Sequence, residues 1–552
     1  MNQNNNNNQS QVQDQVESSL PQTQDLPPIV NPLNNINEPP VSAGVSGETS
    51  SLYVNSSQSN PVVPPQNLES QGQPVANPFV VSTPDNSTSQ NETLNVSEMK
   101  PESQPISAQS NPVLPPKPAK KFPLRLILIL LLVVAVVVGL IFAAGKFLGK
   151  KTVETKTITW WNLWEDDSII KPLIQEYEAK NPNVKINYVK QSPQDYRERL
   201  ASALAKGEGP DIFAFHNTWV PLLARDLDSV PPQVMSSADM AQNYYYVISA
   251  DLTSQGRILG IPLGYDALTL FVNEDLFKEA GLNPPTTWVE LRDDAKLLTK
   301  VVDGKIVQSG VALGRTENVD HWQEILALMM IQNGINFTNP DPSLLENSLL
   351  FFNIFSKSDK VWDETLPSST EAFAAGKLAM YFGPSWRAFN IKEINPNLNF
   401  RTVPLPQIPK ENPDEPDISY ATYWSQGVWI KSKNKDLAWD FLKFISSRDS
   451  LEKMFKQASL VRGFGEIYPR SDMANLLLDH PILGSVVKLA PNAKSWYLAS
   501  RAFDGPTGIN SQLSKYFEDA INALNDNQDL KRTVETLVQG IKQVLTQYGL
   551  AK

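Results

Sequence analysis

The residues in this chain best placed to do chemistry are carboxyls that stand beside indoles. TITWWNLWEDD, Thr157 to Asp167, puts Trp160, Trp161 and Trp164 within five residues and follows them with Glu165, Asp166 and Asp167. PDIFAF (210–215) runs into His216, Asn217, Thr218 and Trp219. Tyr265-Asp266, Trp386-Arg387 and Tyr423-Trp424-Ser425-Gln426 repeat the pairing, and Trp496, Tyr497 and Arg501 stand near the end. Flat aromatic faces pack on the C–H faces of a sugar ring, and neighbouring Asp, Glu, Asn and Arg bind its hydroxyls. An aromatic core needs no carboxylates beside it; a sugar site needs both. The same carboxyls raise a glycosidase reading, which needs two of them roughly 5 to 10 Å apart across a bond. Glu165, Asp166 and Asp266 are the candidates for that pair.

Other chemistries are excluded or unsupported. The chain has 552 residues and no cysteine, so it has no disulfides, thiolate zinc site, cysteine nucleophile or lipidated cysteine. Three histidines, His216, His321 and His480, do not make an imidazole metal cluster on their own. A net charge of −11 argues against a nucleic-acid partner held through phosphates. G-x-S-x-G, P-loop, H-E-x-x-H and strand-following G-x-G-x-x-G signatures are all missing.

The elements that must position these residues read as α/β. TITWW is a strand, and Asp167 can cap a helix whose apolar positions Ile169, Ile170, Leu173, Ile174 and Tyr177 recur at helical spacing. VKINYV (184–189) alternates as a half-buried strand does. Tyr196, Leu200 and Leu204 mark a second helix, ended by Gly207 and Gly209, and PDIFAF is a third strand. This alternation predicts a mostly parallel sheet with helices on both faces, and in such a sheet ligands bind beyond the carboxyl ends of the strands. Trp160 and Trp161 point to opposite faces, so at most one looks into a cleft, and Trp160 stays open between core and cleft. Trp164, past the strand and beside two acids, reads as cleft. Asp211 begins its strand, away from the site, and reads as structural; His216 could equally be a satisfied loop histidine. Further on, GIPLGYDALTLFVN (260–273) is strand-like, Thr287 to Glu290 is a capping box, and LAMYFG (378–383) is a strand. LAWDFLKFIS (437–446) and TVETLVQGIKQVLTQYG (533–549) are helices.

Residues 1–121 differ from the rest. They are rich in Asn, Gln and Ser, and eighteen prolines interrupt any helix, so the segment reads as disordered. VLPPKPAKK (113–121) reads as a stiff spacer or as a polyproline ligand. LILILLLVVAVVVGLIFAAG (126–145) then runs twenty residues without a charge. A helix of that length covers roughly 30 Å, so 122–147 is expected to be a retained membrane anchor, with 148–156 a short linker. Lys117, Lys120, Lys121 and Arg125 precede it and Lys146, Lys150, Lys151 and Lys156 follow it, so charge leaves its orientation tied.

Five stretches of 158–552 resemble, in order, the extracellular sugar-binding proteins of ABC importers, of which maltose-binding protein is a member. They are ITWWNLWE (158–165), LASALAKGEGPDIFAF (200–215), GIPLGYDALTLFVNEDLFKEAGLNPPTTWVEL (260–291), FAAGKLAMYFGPSW (373–386) and KNKDLAWDFLKFISS (433–447). The resemblance implies an α/β, two-lobed periplasmic-binding-protein-like fold over 157–552 that closes on a solute about a hinge. It implies chain crossings near 265–268, 424–428 and 474–478. Lobe 1 is then about 157–266 and 427–475, and lobe 2 about 267–426 and 476–552. Carried over by position, the ligand contacts are Trp161, Asn162, Trp164, Glu165, His216, Asn217, Thr218, Asp266, Trp386, Trp424, Trp496 and Tyr497, with Arg315 and His321 as outer candidates. The implied protein is a monomer that does no chemistry, needs no cofactor and delivers a carbohydrate to ABC permease subunits. Many relatives in bacteria with one membrane are tethered by a lipidated cysteine. Here the 126–145 run looks like its replacement, which would put 157–552 outside the cell and 1–121 inside. The alternatives are a peptide-binding protein of the same fold, a signalling receptor with this ectodomain, and a surface glycosidase.

Overall fold

The apolar run lies in one helix, Leu124–Phe147, of 24 residues. The computed structural model describes residues 124–147, 154–410 and 412–551, so the expectations for 1–121 lie outside the described residues. Among the described residues no helix is long and apolar enough to cross a membrane, and the spanning helix expected at 122–147 is therefore not shown. The helix falls in a different compact unit from residues 152–552.

Alternation builds the first sheet. In Lys156–Asn162 (β1), Ile158 and Trp160 are fully buried while Trp161 is half-exposed. Val184–Lys190 (β2) and Ile212–His216 (β3) pair with β1 in parallel. The intervening helices are Asp167–Lys180 and Tyr196–Lys206, and they bury Ile169, Ile170, Leu173, Ile174 and Tyr177, and Tyr196, Leu200 and Leu204. Asp166, not Asp167, occupies the cap position of the first helix and makes no side-chain cap bond. Asp167 sits in the first turn, where its charge favours the helix dipole.

Thr253–Ser254 (β4) and Arg257–Ile258 (β5) form a separate two-stranded ribbon. Ile261–Pro262 (β6), Leu268–Asn273 (β7), Lys300–Val302 (β8) and Lys305–Val311 (β9) follow. Leu378–Pro384 (β10), Phe400–Val403 (β11) and Trp424–Val428 (β12) complete the set. One sheet runs β2-β1-β3-β12-β6 and the other β11-β7-β10-β9-β8. The expected mostly parallel sheet is corrected here: both sheets are mixed. β12 lies antiparallel to β3 and to β6, and in the second sheet only β10 and β9 are parallel. Strand direction depends on where the chain re-enters a sheet, and alternation carries no record of that. The single strand-like run at 260–273 splits into β6 and β7, which belong to different sheets.

Each sheet has its own core. Ile158 to Ala267 and Ala421 to Ala493 supply the first, and Leu268 to Tyr420 and Trp496 to Leu545 supply the second. Passage between them occurs at 267/268, at 420/421 and around 489–496. β12 lies whole in the first sheet, so the crossing expected at 424–428 falls inside a strand. Leu477, Leu483, Val486 and Val487 pack into the first core, although lobe 2 was expected to resume at 476. The crossings are hydrogen-bonded side by side. Leu268 N donates to Tyr420 O at 2.8 Å, Thr422 N to Asp266 O at 3.0 Å, and Ala421 N to Lys494 O at 2.8 Å.

Elsewhere local chemistry and structure agree. Thr287 Oγ1 accepts from Glu290 N at 3.2 Å, while Glu290 Oε2 accepts from Thr287 N at 3.1 Å. That reciprocal cap starts the helix Trp288–Leu298. Asp211 accepts from Thr159 N at 2.8 Å and from Ser432 Oγ at 2.5 Å, joining β1 to the segment after β12, the structural role its position predicts.

Candidate functional site: a cleft between the two cores

A cleft of about 310 Å³ opens where β1 and β3 end, β12 begins and the crossings lie. β1 delivers Asn162 to its wall, and the turn after it delivers Trp164 and Glu165. Trp164 is 41% exposed and meets Trp424 edge-on, with centroids 5.6 Å apart. Trp424 begins β12 opposite His216 and also packs edge-on against Trp219 at 5.1 Å. Trp160 is core: its ring is fully buried and its Nε1 donates to Gln426 Oε1 at 2.8 Å. Gln426 Nε2 in turn donates to Asn162 Oδ1 at 3.3 Å, so a buried relay orients the amide that faces the cleft.

Asp266, on the first crossing, is saturated. Its Oδ1 accepts from Ala267 N at 2.8 Å and Ser385 N at 3.2 Å, and its Oδ2 from Ser385 Oγ at 2.9 Å and Trp386 N at 3.4 Å. Burial pushes its carboxyl up to about 6, and these donors oppose the rise. Asp266 therefore holds the turn that presents Trp386. It leaves the glycosidase reading without one of its named carboxyls. Trp386 is half-buried, with the Arg387 guanidinium 4.7 Å and the Arg501 guanidinium 5.6 Å from its ring.

Of the remaining sequence candidates, His216 and His321 also line the cleft. Both are already engaged. His216 lies 2.8 Å from Thr218 Oγ1 and 3.1 Å from Thr422 Oγ1, and burial pushes its imidazole down to about 3, so it is neutral. His321 Nε2 accepts from Arg387 Nε at 2.8 Å, and burial lowers its pKa too. Six candidates are not brought to the cleft. Trp161 packs on the outside of the first core. Asn217 Nδ2 donates to Asp251 Oδ2 at 2.9 Å, and Thr218 Oγ1 accepts from Asn510 Nδ2 at 2.7 Å. Trp496 is 9% exposed and stacks on Phe337 at 3.8 Å, and Tyr497 packs against the same second core. Arg315 pairs with Glu317 and Glu364.

Sequence reasoning missed Arg462, Glu466 and Phe389, all on the cleft wall. Arg462 ends the helix Arg448–Arg462, and Gly463 follows at φ +94°, which turns the chain so that Phe464 meets Phe389 and Glu466 lines the cleft. Arg462 Nη2 donates to Glu165 Oε1 at 2.9 Å and to Glu466 Oε1 at 2.8 Å. Burial pushes the Glu165 carboxyl up to about 7; Glu466 adds to the rise by repulsion and Arg462 opposes it. Phe464 stacks on Phe389 at 4.3 Å, bringing a first-core loop onto a second-core helix. The signal that could have found these residues is the charged pair around two glycines in Arg462-Gly463-Phe464-Gly465-Glu466, directly after an amphipathic helix.

Residues 161–451 match the family described as Bacterial extracellular solute-binding protein, more than half of the chain, and the chain belongs to that family. It is a family of solute-binding proteins and not of enzymes. The chain is similar to the Diacetylchitobiose binding protein DasA of Streptomyces coelicolor, 23% identical over 332 residues that cover 55% of this chain and 72% of DasA. It is similar to a Maltotriose-binding protein of Pyrococcus abyssi, 22% identical over 326 residues, 56% of this chain and 66% of the relative. Among solved structures, the sugar-binding protein MalE from Xanthomonas citri superposes with a TM-score of 0.58 at 18% identity, covering 71% of this chain and 98% of MalE. That likeness shows the two-lobed α/β fold.

Proposed function

We propose that residues 157–552 capture a carbohydrate between two lobes and present it to the permease of an ABC importer. The observation that carries this reading is the pairing of Trp164, Trp386 and Trp424 with Asn162, Glu165 and Gln426 in one cleft of about 310 Å³. Indole faces suit the C–H faces of a pyranose, and the adjoining amides and carboxyl suit its hydroxyls. The two lobes are the bodies around the two cores, and the three hydrogen-bonded crossings are the hinge about which they close. Trp164 and Trp386 are the platforms, Asn162 and Glu165 the hydroxyl partners, and Asp266 the residue that positions Trp386. The relatives that bind diacetylchitobiose and maltotriose support the ligand class. The chain acts as a monomer.

The same proposal includes a tether. The twenty uncharged residues at 126–145 fall within one helix, Leu124–Phe147, and they support a single-pass anchor that holds 157–552 outside the cell. Carbonate extraction of membranes from cells making the full chain, with protease added to intact cells, tests this. Retention in the pellet with the binding domain digested agrees with it, and release into the supernatant contradicts it.

For the ligand, the test is a thermal-shift screen of the full chain against mono- and oligosaccharides, with peptides as controls and released reducing sugar assayed in the same wells. A ligand at a hundred times its Kd adds about 2.7 kcal/mol of stability. A saccharide that raises the melting temperature and survives intact agrees with the proposal. Shifts from peptides alone, or hydrolysis of the saccharide, contradict it.

A further inference from the structure

The charges on the two walls of the cleft differ in how they are paired. At the Trp386 wall Arg387 and Arg501 lie over that indole, and Asp320 pairs with Arg387 at 3.5 Å. At the Trp164 wall Glu165 and Glu466 share a single guanidinium, Arg462, whose Nη2 serves both glutamates. Asp166, the next acid, is matched by Lys190. Asp266 is filled by Ala267, Ser385 and Trp386. Glu324, at the Trp386 wall, accepts from Ser500 N and Oγ through Oε1, and its Oε2 lies 3.8 Å from His321 Nδ1. The two glutamates at the Trp164 wall thus have one guanidinium between them, and one carboxyl stays unmatched.

A second observation locates the unmatched group. Glu165 is 7% exposed, and its Oε2 is buried without a hydrogen-bond partner. Gly264 lets the cluster close up: a Cβ there would lie 2.9 Å from Glu466 Cβ. A buried carboxylate without a counter-charge is costly, so the cluster must either keep a proton or receive a cation. The carboxyl of Glu165, raised by burial and by Glu466, behaves accordingly. A metal ion is not the occupant that the geometry fits, since no group of three or more Asp, Glu or His among the described residues is placed to hold one. A sugar hydroxyl would satisfy Glu165 Oε2 as a donor but leave the charge. An ammonium does both, and the Trp164 indole beside it accepts a cation on its face.

We propose that the subsite formed by Glu165, Glu466 and Trp164 selects a carbohydrate bearing a free primary amine, a hexosamine unit in its ammonium form, over neutral and N-acetylated sugars. This rests on the carbohydrate reading above and narrows it. The amine then lies at the Trp164 wall, away from the arginines over Trp386.

The test is calorimetric titration of the full chain at neutral pH with the β-1,4-linked disaccharides of glucosamine, N-acetylglucosamine and glucose. The expected result is that the glucosamine disaccharide binds at least about tenfold more tightly than either neutral one, the ratio one charge-assisted hydrogen bond supplies. In Glu165→Gln and, independently, Glu466→Gln, that ratio falls to about threefold or less; melting curves identify any variant that does not fold, and the ratio is then read from the other. Equal affinities for the three disaccharides, or tighter binding of a neutral one, overturn this inference and leave the carbohydrate reading standing. Failure of all three, with no other saccharide active in the thermal screen, removes the carbohydrate reading and this inference with it.

Discussion

Asp266 grips Ser385 with both oxygens: the serine hydroxyl reaches Oδ2 at 2.9 Å and its backbone N–H reaches Oδ1 at 3.2 Å. The contact ties the first crossing between the lobes to the turn that presents Trp386, 119 residues later in the chain. The turn that presents Trp386 and the first crossing are thus one hydrogen-bonded unit. Hydrogen bonds to a charged acceptor contribute roughly 1.5–3 kcal/mol each, and their donors are left buried when it is removed. Asp266→Ala is expected to lower stability by about 3 kcal/mol and to weaken ligand binding together with it. Urea unfolding and ligand titration on the same preparation check this. Full affinity with normal stability would show that the turn holds itself.

The tryptophans divide into two mutational classes. Trp386 is half-buried on the cleft wall, so Trp386→Ala is expected to weaken ligand binding at least about tenfold while the melting curve stays near wild type. Trp496 stacks on Phe337 in the second core, so Trp496→Ala is expected to cost about 3–5 kcal/mol of stability. Thermal melts and titrations of the two variants side by side separate these outcomes.

The loop that carries Phe464 spans the cleft. Its ring stacks on Phe389 at 4.3 Å with an interplanar angle of 30°, and such a pair adds about 1 kcal/mol beyond area burial. Phe464→Ala is expected to favour the open form and raise the ligand Kd about fivefold through faster release. Stopped-flow dissociation measures it directly; an unchanged off-rate would mean the stack does not resist opening.

Stability should depend on pH through Glu165. Its carboxyl is pushed up to about 7 in the folded state from its ordinary 4.5. Between those values the folded chain holds the proton more tightly than the unfolded chain, so this group's contribution to stability falls as pH rises from 4.5 to 7. His216, pushed down to about 3, acts oppositely: it stays neutral when folded, and stability is lost as pH falls below 6.5. The comparison that isolates Glu165 is the difference between wild type and Glu165→Gln. The variant is expected to gain on wild type steadily from pH 4.5 to 7, in urea midpoints taken at each pH. A constant difference would place the Glu165 carboxyl near its ordinary range.

Much of the fold is legible because it is local. The alternation in β1, the helical spacing of Ile169 to Tyr177 and the Thr287–Glu290 box each need only neighbours along the chain. Sheet direction and the second and third chain crossings were not legible. β12 inserts antiparallel beside β3 from more than two hundred residues away, and nothing within Trp424–Val428 records that. In the site, Asn162, Trp164, Glu165, Trp386 and Trp424 stand at the ends of strands or just beyond, where polar and aromatic types together mark the cleft. Trp496 has the same composition around it but a phenylalanine over its ring, and residue type alone does not report depth. Asp266 reads as a ligand carboxylate until its four donors are seen. Arg462 and Glu466 are invisible to any search for aromatic–acid pairs, because their meaning comes from meeting Glu165 some three hundred residues distant.

The central claim is that a carbohydrate binds on the Trp164 wall of this cleft. The most direct measurement is calorimetric titration of the saccharide that most raises the melting temperature into the full chain and into Trp164→Ala. Expected are one saturable site in the wild-type chain, at least about tenfold weaker binding in the variant, and superimposable melting curves without ligand. Equal affinity in the two proteins, or no saccharide that binds the wild-type chain, would contradict it.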